Sequence, residues 1–440
     1  MSGLALSALA FAVMLGLIFL RMPIGAAMLL TGLAGTWIVT GTPVPVLAQM
    51  KSLTYDTFSS YSLSIVPLFL LMGQFAAKSG MSESLFRAAA DWLGHRRGGV
   101  AMAAVGACGG FGAVCGSSLA TAATMGQVAL PEMRRLRFSD ALSTGVLAAG
   151  GTLGILIPPS VILVIYAILT EQNIIKMFVA ALVPGILAAL GYMATVAIYA
   201  RVRPEAAQTA PRVPYRERFR ALAAIWPVVF IFALVIGGIY LGWFTPTEAA
   251  AIGAVATGAY ALAVGRLSRR DFVDCVLGAA SATAMIFFIV LGAQALNTFL
   301  ALTQTPQAAA DWVTASGLSP WVVLTLILAC YLVFGCVMDS LSMILLTIPI
   351  FFPIVMALDF GLTPEETAIW FGILALMVVE IGLITPPVGL NLFIIHSLAR
   401  DIPLSVTYRG VAPFVLSDIL RIVVLAAFPG ITLWLMRAMF

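Results

Sequence analysis

The sequence predicts an all-α polytopic membrane protein made of two inverted-topology repeats, each with a re-entrant helical hairpin and a broken transmembrane helix. Three observations carry that expectation. Hydrophobic residues make up 62% of the 440 and charged residues only 10%, whereas soluble domains average about half apolar and about a quarter charged. Short sequence words recur in the same order about half a chain length apart. The basic residues fall almost entirely on one side of a single consistent topology.

Apolar runs of bilayer-spanning length, such as Leu4–Leu20 and Leu222–Leu241, set the spans. The expected spans are 3–20, 23–41, 61–78, 138–169, 175–200, 222–242, 246–265, 272–302, 366–399 and 411–436. Met1–Leu20 has no basic residues before its apolar run, so it reads as an uncleaved first span. The stretches 99–133 and 320–356 are too long and too interrupted for simple spans. Each has a glycine- or serine-bearing centre and prolines near its end, the pattern of two short half-helices that enter and leave on one side. The five cysteines form no CxxC and read as small apolar residues rather than a disulfide or metal framework.

Charge placement orients the chain. With the N-terminus outside, all 23 Lys and Arg lie inside except Lys51, Lys176 and Arg437, and Arg421 within a span; this asymmetry is what the positive-inside rule requires. Re-entry at 99–133 keeps His95-Arg96-Arg97 and Arg134-Arg135 together on the inner side. The polar stretch 201–220, with six arginines, reads as a plain basic cytoplasmic linker.

The repeats divide the chain into a first unit, 1–200, and a second, 221–440. AAADW occurs at Ala88–Trp92 and Ala308–Trp312, 220 residues apart. RMPIGAAM (Arg21–Met28) matches FTPTEAAA (Phe244–Ala251) at 223, and SSLATAATMGQVALP (Ser117–Pro131) matches DSLSMILLTIPIFFP (Asp339–Pro353) at 222. GILIPPSV (Gly154–Val161) matches GLITPPVG (Gly382–Gly389) at 228. The first hairpin is flanked by basic residues and opens inside. The second has none between Arg270 and Arg400 and opens outside. Inverted repeats with broken helices are the build of secondary transporters, with the site at the repeat interface near mid-membrane. The AAADW segments then read as matching interfacial arm helices, with Trp92 and Trp312 at headgroup depth.

Chemistry is expected at the hairpin tips and the breaks. At Gly112–Thr124 the tip exposes helix-end carbonyls and N–H groups, which attract cations and anions respectively. Ser117, Ser118 and Thr121 add hydroxyls suited to an ion or a carboxylate. The matching tip places Asp339 at the position of Ser117 and Ser340 at that of Ser118; a carboxylate at mid-membrane is costly and so marks function. Pro158-Pro159 and Pro386-Pro387 break the long helices. They free carbonyls near Gly151 and Thr152 in one half and near Glu380, Gly382 and Thr385 in the other, so that each break faces its own tip. Such oxygens suit hard cations such as Na⁺. Glu380 is a second intramembrane acid and a candidate proton or ion carrier. Ser118, Thr121, Pro159 and Asn391 are the candidate substrate contacts. Asp418 and Arg421, three apart on one helix, pair with each other, and His95 and His396 carry no site. There is no P-loop, GxSxG or HExxH, which argues against ATP-driven transport and against an enzyme.

At these residues the chain resembles the large membrane subunit of TRAP (tripartite ATP-independent periplasmic) transporters. GAVCGSSLATAATMGQVALPEM, GTLGILIPPSVILVIYAILT, GCVMDSLSMILLTIPIFFPI and LITPPVGLNLFII carry the resemblance. It implies sodium-coupled uptake of an organic acid across the bacterial inner membrane by an elevator-like motion, with Na⁺ as coupling ion and no other cofactor. It also implies a periplasmic substrate-binding protein and a small four-helix membrane subunit, expected as a separate chain. No nucleic acid is expected. The implied sodium sites fall at Ser117, Ser118, Gly151 and Thr152 in one half and at Asp339, Ser340, Gly382 and Thr385 in the other. The alternatives are a binding-protein-independent carboxylate carrier, a cation/proton antiporter, and an ion channel. In a cysteine-free background, a cysteine at position 52 is expected to label from outside and one at position 209 to resist. The reverse pattern contradicts the assignment of sides.

Overall fold

A computed structural model describes residues 3–440; Met1 and Ser2, part of the expected first span, lie outside the described residues. Every regular element among the described residues is helical. Ile174–Val202, Arg269–Leu302 and Leu404–Ala427 are each long and apolar enough to cross a bilayer alone. Three further apolar pairs are bent: Val44–Phe58 with Ser62–Lys78 by 52°, Asp140–Leu156 with Val161–Leu169 by 45°, and Tyr215–Ala223 with Trp226–Tyr240 by 41°. The segments 99–133 and 320–356 fall on two helix pairs, Gly99–Cys115 with Ser118–Arg135 and Pro320–Gly335 with Ser340–Met356.

The two halves interleave rather than stand side by side. Ile24–Thr40 packs along Arg269–Leu302, and Pro246–Ala263 packs along Ile65–Lys78. Asp140–Leu156 packs along Leu404–Ala427, and Ile174–Val202 meets Pro364–Gly382. Without a hydrophobic drive between helices in lipid, close approach through small residues supplies the packing. Gly25 and Gly32 lie against the backbone of Arg269–Leu302, and Gly35 lies against the Phe299 ring. Gly145 lies against the backbone of Gly410 and Val411, and Gly410 against that of Ala141.

Surface ion pairs respect the expected sides. Lys78–Asp271 (3.0 Å), Arg266–Glu83 (2.8 Å) and Arg134–Asp401 (2.8 Å) join residues expected inside. Lys176–Glu365 (2.7 Å) and Arg437–Glu366 (2.7 Å) join residues expected outside. Such exposed pairs stabilise little; their value is that none joins one side to the other.

The structure corrects four expectations. Residues 42–60, left outside the spans, hold the helix Val44–Phe58, which Pro45 starts from its first turn. The span expected over 411–436 is two helices that part at Phe428, where Pro429 starts the second. The stretch 201–220 is docked rather than a plain linker. Ala210 N donates to Gly94 O at 2.8 Å, Ser139 N donates to Ala206 O at 3.0 Å, and Arg218 is buried with its Nε on Val213 O at 2.8 Å. Trp92 is not a free interfacial anchor, because its indole donates to Arg218 O at 3.3 Å and packs edge-on against Phe219. Trp312, by contrast, is exposed.

The cross-half contact at Gly145 is directly testable. A Cβ there collides with the Gly410 backbone, whereas one at Gly16 meets nothing within 4 Å. Gly145→Ala is expected to destabilise by about 1–3 kcal/mol, read as a fall in thermal midpoint. Gly16→Ala should leave the midpoint unchanged or raised, as helix propensity dictates. Equal midpoints for the two variants would contradict the packing.

Candidate functional site

The two tips are built alike. Helix Gly99–Cys115 ends on Gly116, whose φ of +66° is the left-handed geometry that glycine adopts freely. Ser117 then turns extended, and its hydroxyl accepts from Ala120 N at 3.4 Å to cap Ser118–Arg135. In the other half Asp339 does the same for Ser340–Met356. Its carboxylate accepts from Ser342 N at 3.1 Å and from Ser342 Oγ at 2.5 Å. The aligned pair Ser117 and Asp339 are thus equivalent N-caps, one neutral and one acidic. Both are only partly buried.

Each break faces its own tip. In the first half the Gly154 backbone is wedged against the tip, and a Cβ there would sit 2.5 Å from Thr121 Oγ1 and 2.7 Å from Ser117 O. Gly116 faces Pro159 O, 3.0 Å from where its Cβ would stand. In the second half Gly382 lies against the Gly335 backbone, and Gly389 N donates to Cys336 O at 3.2 Å. Gly382 is buried, whereas Thr385 is partly exposed and turns its hydroxyl back onto Ile381 O at 2.7 Å.

The halves meet at two side chains from the second. Glu380, buried on helix Pro364–Gly382, accepts from Ser118 Oγ on one carboxylate oxygen and from Ser340 Oγ on the other, the latter at 2.8 Å. Asn391, wholly buried, donates Nδ2 to Ala148 O at 3.2 Å beside Gly151. Among the described residues its Oδ1 has no hydrogen-bond partner, nor does buried Thr121 Oγ1, which lies beside the Cys115 thiol. Unpaired oxygens at this depth are costly. The polar groups at the tips and breaks are chiefly oxygens and include no histidine, a chemistry that suits a hard cation more than a soft one.

Thr152 is drawn away from the tip. Its hydroxyl donates to Ala149 O at 2.7 Å and meets Tyr192 OH at 2.9 Å. Tyr192 OH donates to Asp418 Oδ2 at 2.7 Å, and Asp418 pairs with Arg421 at 2.7 Å. The Asp418–Arg421 pair expected from their spacing is therefore present, and it also braces the first break. Of the expected residues, Ser117, Ser118, Thr121, Gly151, Pro159, Asp339, Ser340, Glu380, Gly382 and Asn391 converge on the tips and breaks; the Thr152 side chain does not.

Ser117, Ser118, Asp339 and Ser340 also line one cavity of about 240 Å³. Its apolar walls come from Ile155, Val161, Ile162 and Leu383 near the breaks, and from Leu70, Met285 and Ile286 on helices Ile65–Lys78 and Arg269–Leu302. The last three gave no signal in the sequence, since nothing separates them from other apolar span residues. Tyr192 was missed too; its one signal is a phenolic hydroxyl near the middle of a largely apolar span.

An all-helical membrane chain with two hairpin tips and two broken helices around one cavity has the build of a secondary transporter. The fold matches the crystal structure of the Alcanivorax borkumensis YdaH transporter, described as having an unusual topology. The TM-score is 0.61 over 88% of this chain and 89% of that one, at 14% identity. Residues 11–431 match the tripartite ATP-independent periplasmic transporter, DctM component, and the chain belongs to that family. It is 40% identical over 381 residues to the C4-dicarboxylate TRAP transporter large permease protein DctM of Pseudomonas aeruginosa, covering 86% of this chain and 87% of that protein. It is 32% identical over 426 residues to the sialic acid TRAP transporter large permease protein SiaM of Vibrio cholerae, covering 96% of each. The chain is thus a TRAP large permease and a multi-pass membrane protein.

Gly154→Ala fills the space between Ser117 O and Thr121 Oγ1. Uptake by the assembled transporter should fall about tenfold or more, the consequence of misplacing a site by a fraction of an ångström, while Gly16→Ala transports normally. Unchanged uptake by Gly154→Ala would remove the first break from the site.

Proposed function

We propose that this chain carries a small organic acid into the bacterial cell across the inner membrane, driven by sodium, with its N-terminus on the periplasmic side. The observation that carries this reading is the charge balance of the cavity. Three helix N-termini border it, at Ser118, Val161 and Ser340, and helix N-termini favour anions. No Lys or Arg lines it, and Asp339 adds a negative charge. An acidic substrate beside Asp339 is repelled unless a cation is bound there too. Co-binding of Na⁺ offsets that repulsion, which is the thermodynamic requirement for coupling.

Ser117, Ser118, Asp339 and Ser340, with the backbone at Gly151, Gly154 and Gly382, are the proposed cation ligands; of the expected substrate contacts Ser118 lines the cavity, whereas Thr121, Pro159 and Asn391 lie behind its wall. The expected side chains of Thr152 and Thr385 are left out of that set, because each turns its hydroxyl onto a preceding backbone carbonyl. The two relatives named above carry organic acids by name, and the cavity volume suits a compact acid. The family description as tripartite supports a small membrane subunit and a periplasmic binding protein as partners.

Reconstitution tests this reading. Uptake into liposomes is expected only when the binding protein and the small subunit are supplied and sodium is higher outside. Asp339→Asn keeps the shape but removes the charge, and half-saturating sodium should rise about tenfold or more, one factor of ten for each 1.4 kcal/mol lost. Robust uptake by the isolated chain, or uptake indifferent to sodium, would overturn the proposal.

A further inference from the structure

Ser118 and Ser340 come from opposite halves of the chain, yet both hydroxyls end on one side chain. Each Glu380 carboxylate oxygen accepts one of them, and no other partner is seen for either hydroxyl among the described residues. All three side chains are buried.

A serine hydroxyl has one proton and two lone pairs. It serves as a cation ligand only when the proton points elsewhere, since a proton aimed at the ion cancels the attraction of the oxygen. Outer partners that fix the orientation of a ligand in this way are a general requirement of ion sites. Glu380 takes both protons and leaves the lone pairs of both serines facing their own tips.

We propose that Glu380 is the shared positioning residue of the two cation sites and couples them. This rests on the sodium reading above. Loss of the ion at one tip frees that serine to turn, which loosens Glu380 and with it the serine of the other tip. Sodium binding at either tip therefore strengthens binding at the other, and the coupling is reciprocal. The pseudo-equivalent position in the first half, Thr152, has no such role: its hydroxyl is committed to Tyr192. One acid serves both tips.

Two variants separate this role from bulk charge. In Glu380→Gln the amide offers one accepting oxygen and an NH₂ that donates, so one serine must accept from it, which takes up a lone pair and leaves that serine's proton without its fixed acceptor. Glu380→Asp keeps the charge but is one methylene shorter and reaches one serine at a time. The readout is thermal stabilisation of the purified, lipid-embedded chain as sodium is raised, since an ion that binds only the folded state stabilises it. Wild type is expected to give a sigmoidal curve with a Hill coefficient above one. Both variants should move that coefficient toward one, with half-saturating sodium raised about tenfold. A merely structural role would lower the midpoint at every sodium concentration without changing the curve's shape. A variant curve of wild-type shape and midpoint overturns the proposal, and either variant suffices if the other does not fold. A wild-type chain with no sodium response at all overturns the sodium reading itself, a different result.

Discussion

Every polar backbone group inside a bilayer must find a partner within the protein, because no water is there to supply one. This chain ends and restarts helices at four places, the two tips and the two breaks, and the rest of the fold follows from satisfying them. Ser117 and Asp339 cap the restarted tip helices, and Ser160 caps Val161–Leu169. Gly154 and Gly382 bring the breaks against the tips so closely that no side chain fits between. The interleaved outer helices then enclose these ends. What the caps leave unpaired, Thr121 Oγ1 and Asn391 Oδ1, is what a bound ion and substrate would use.

The repeat supplies symmetry, and the function proposed here needs its violation. Two neutral tips would leave the cavity with helix N-termini and no carboxylate of its own. Replacing the Ser117 type of cap with Asp339 puts a carboxylate beside the cavity, so that a bound cation offsets the repulsion an acidic substrate would otherwise meet there. Replacing the Thr152 type of residue with Glu380 gives a buried acceptor that both tips share. Thr152 instead closes onto Tyr192, Asp418 and Arg421, an ion pair whose burial costs energy unless its geometry is satisfied. That network pins the first break to helices Ile174–Val202 and Leu404–Ala427, so the two halves are braced differently.

Much of this was legible in the sequence because it depends on local rules. Double prolines break helices wherever they fall, serine and aspartate cap them, and like words half a chain apart mark a repeat. The tip and break positions followed from those rules, and so did the Asp418–Arg421 pair. What escaped depends on tertiary neighbours. Val44–Phe58 carries Lys51 and Asp56 and falls below a span in apolar character, yet it folds as a helix bent against Ser62–Lys78. Thr152 was placed by its backbone, and only the position of Tyr192 shows where its hydroxyl turns. The docking of Trp92 against Arg218 and Phe219 depends on a stretch that reads by composition as a plain basic linker. That Glu380 reaches Ser118 of the other half is a contact across 262 residues, beyond what any local pattern encodes.

The central claim is that the tips of the two inverted halves are cation sites. Equilibrium binding of radioactive sodium to the chain alone in lipid nanodiscs, with no substrate and no partner present, tests it most directly. The account predicts saturable binding that approaches one ion for each tip. Binding indistinguishable from that of empty nanodiscs would contradict it.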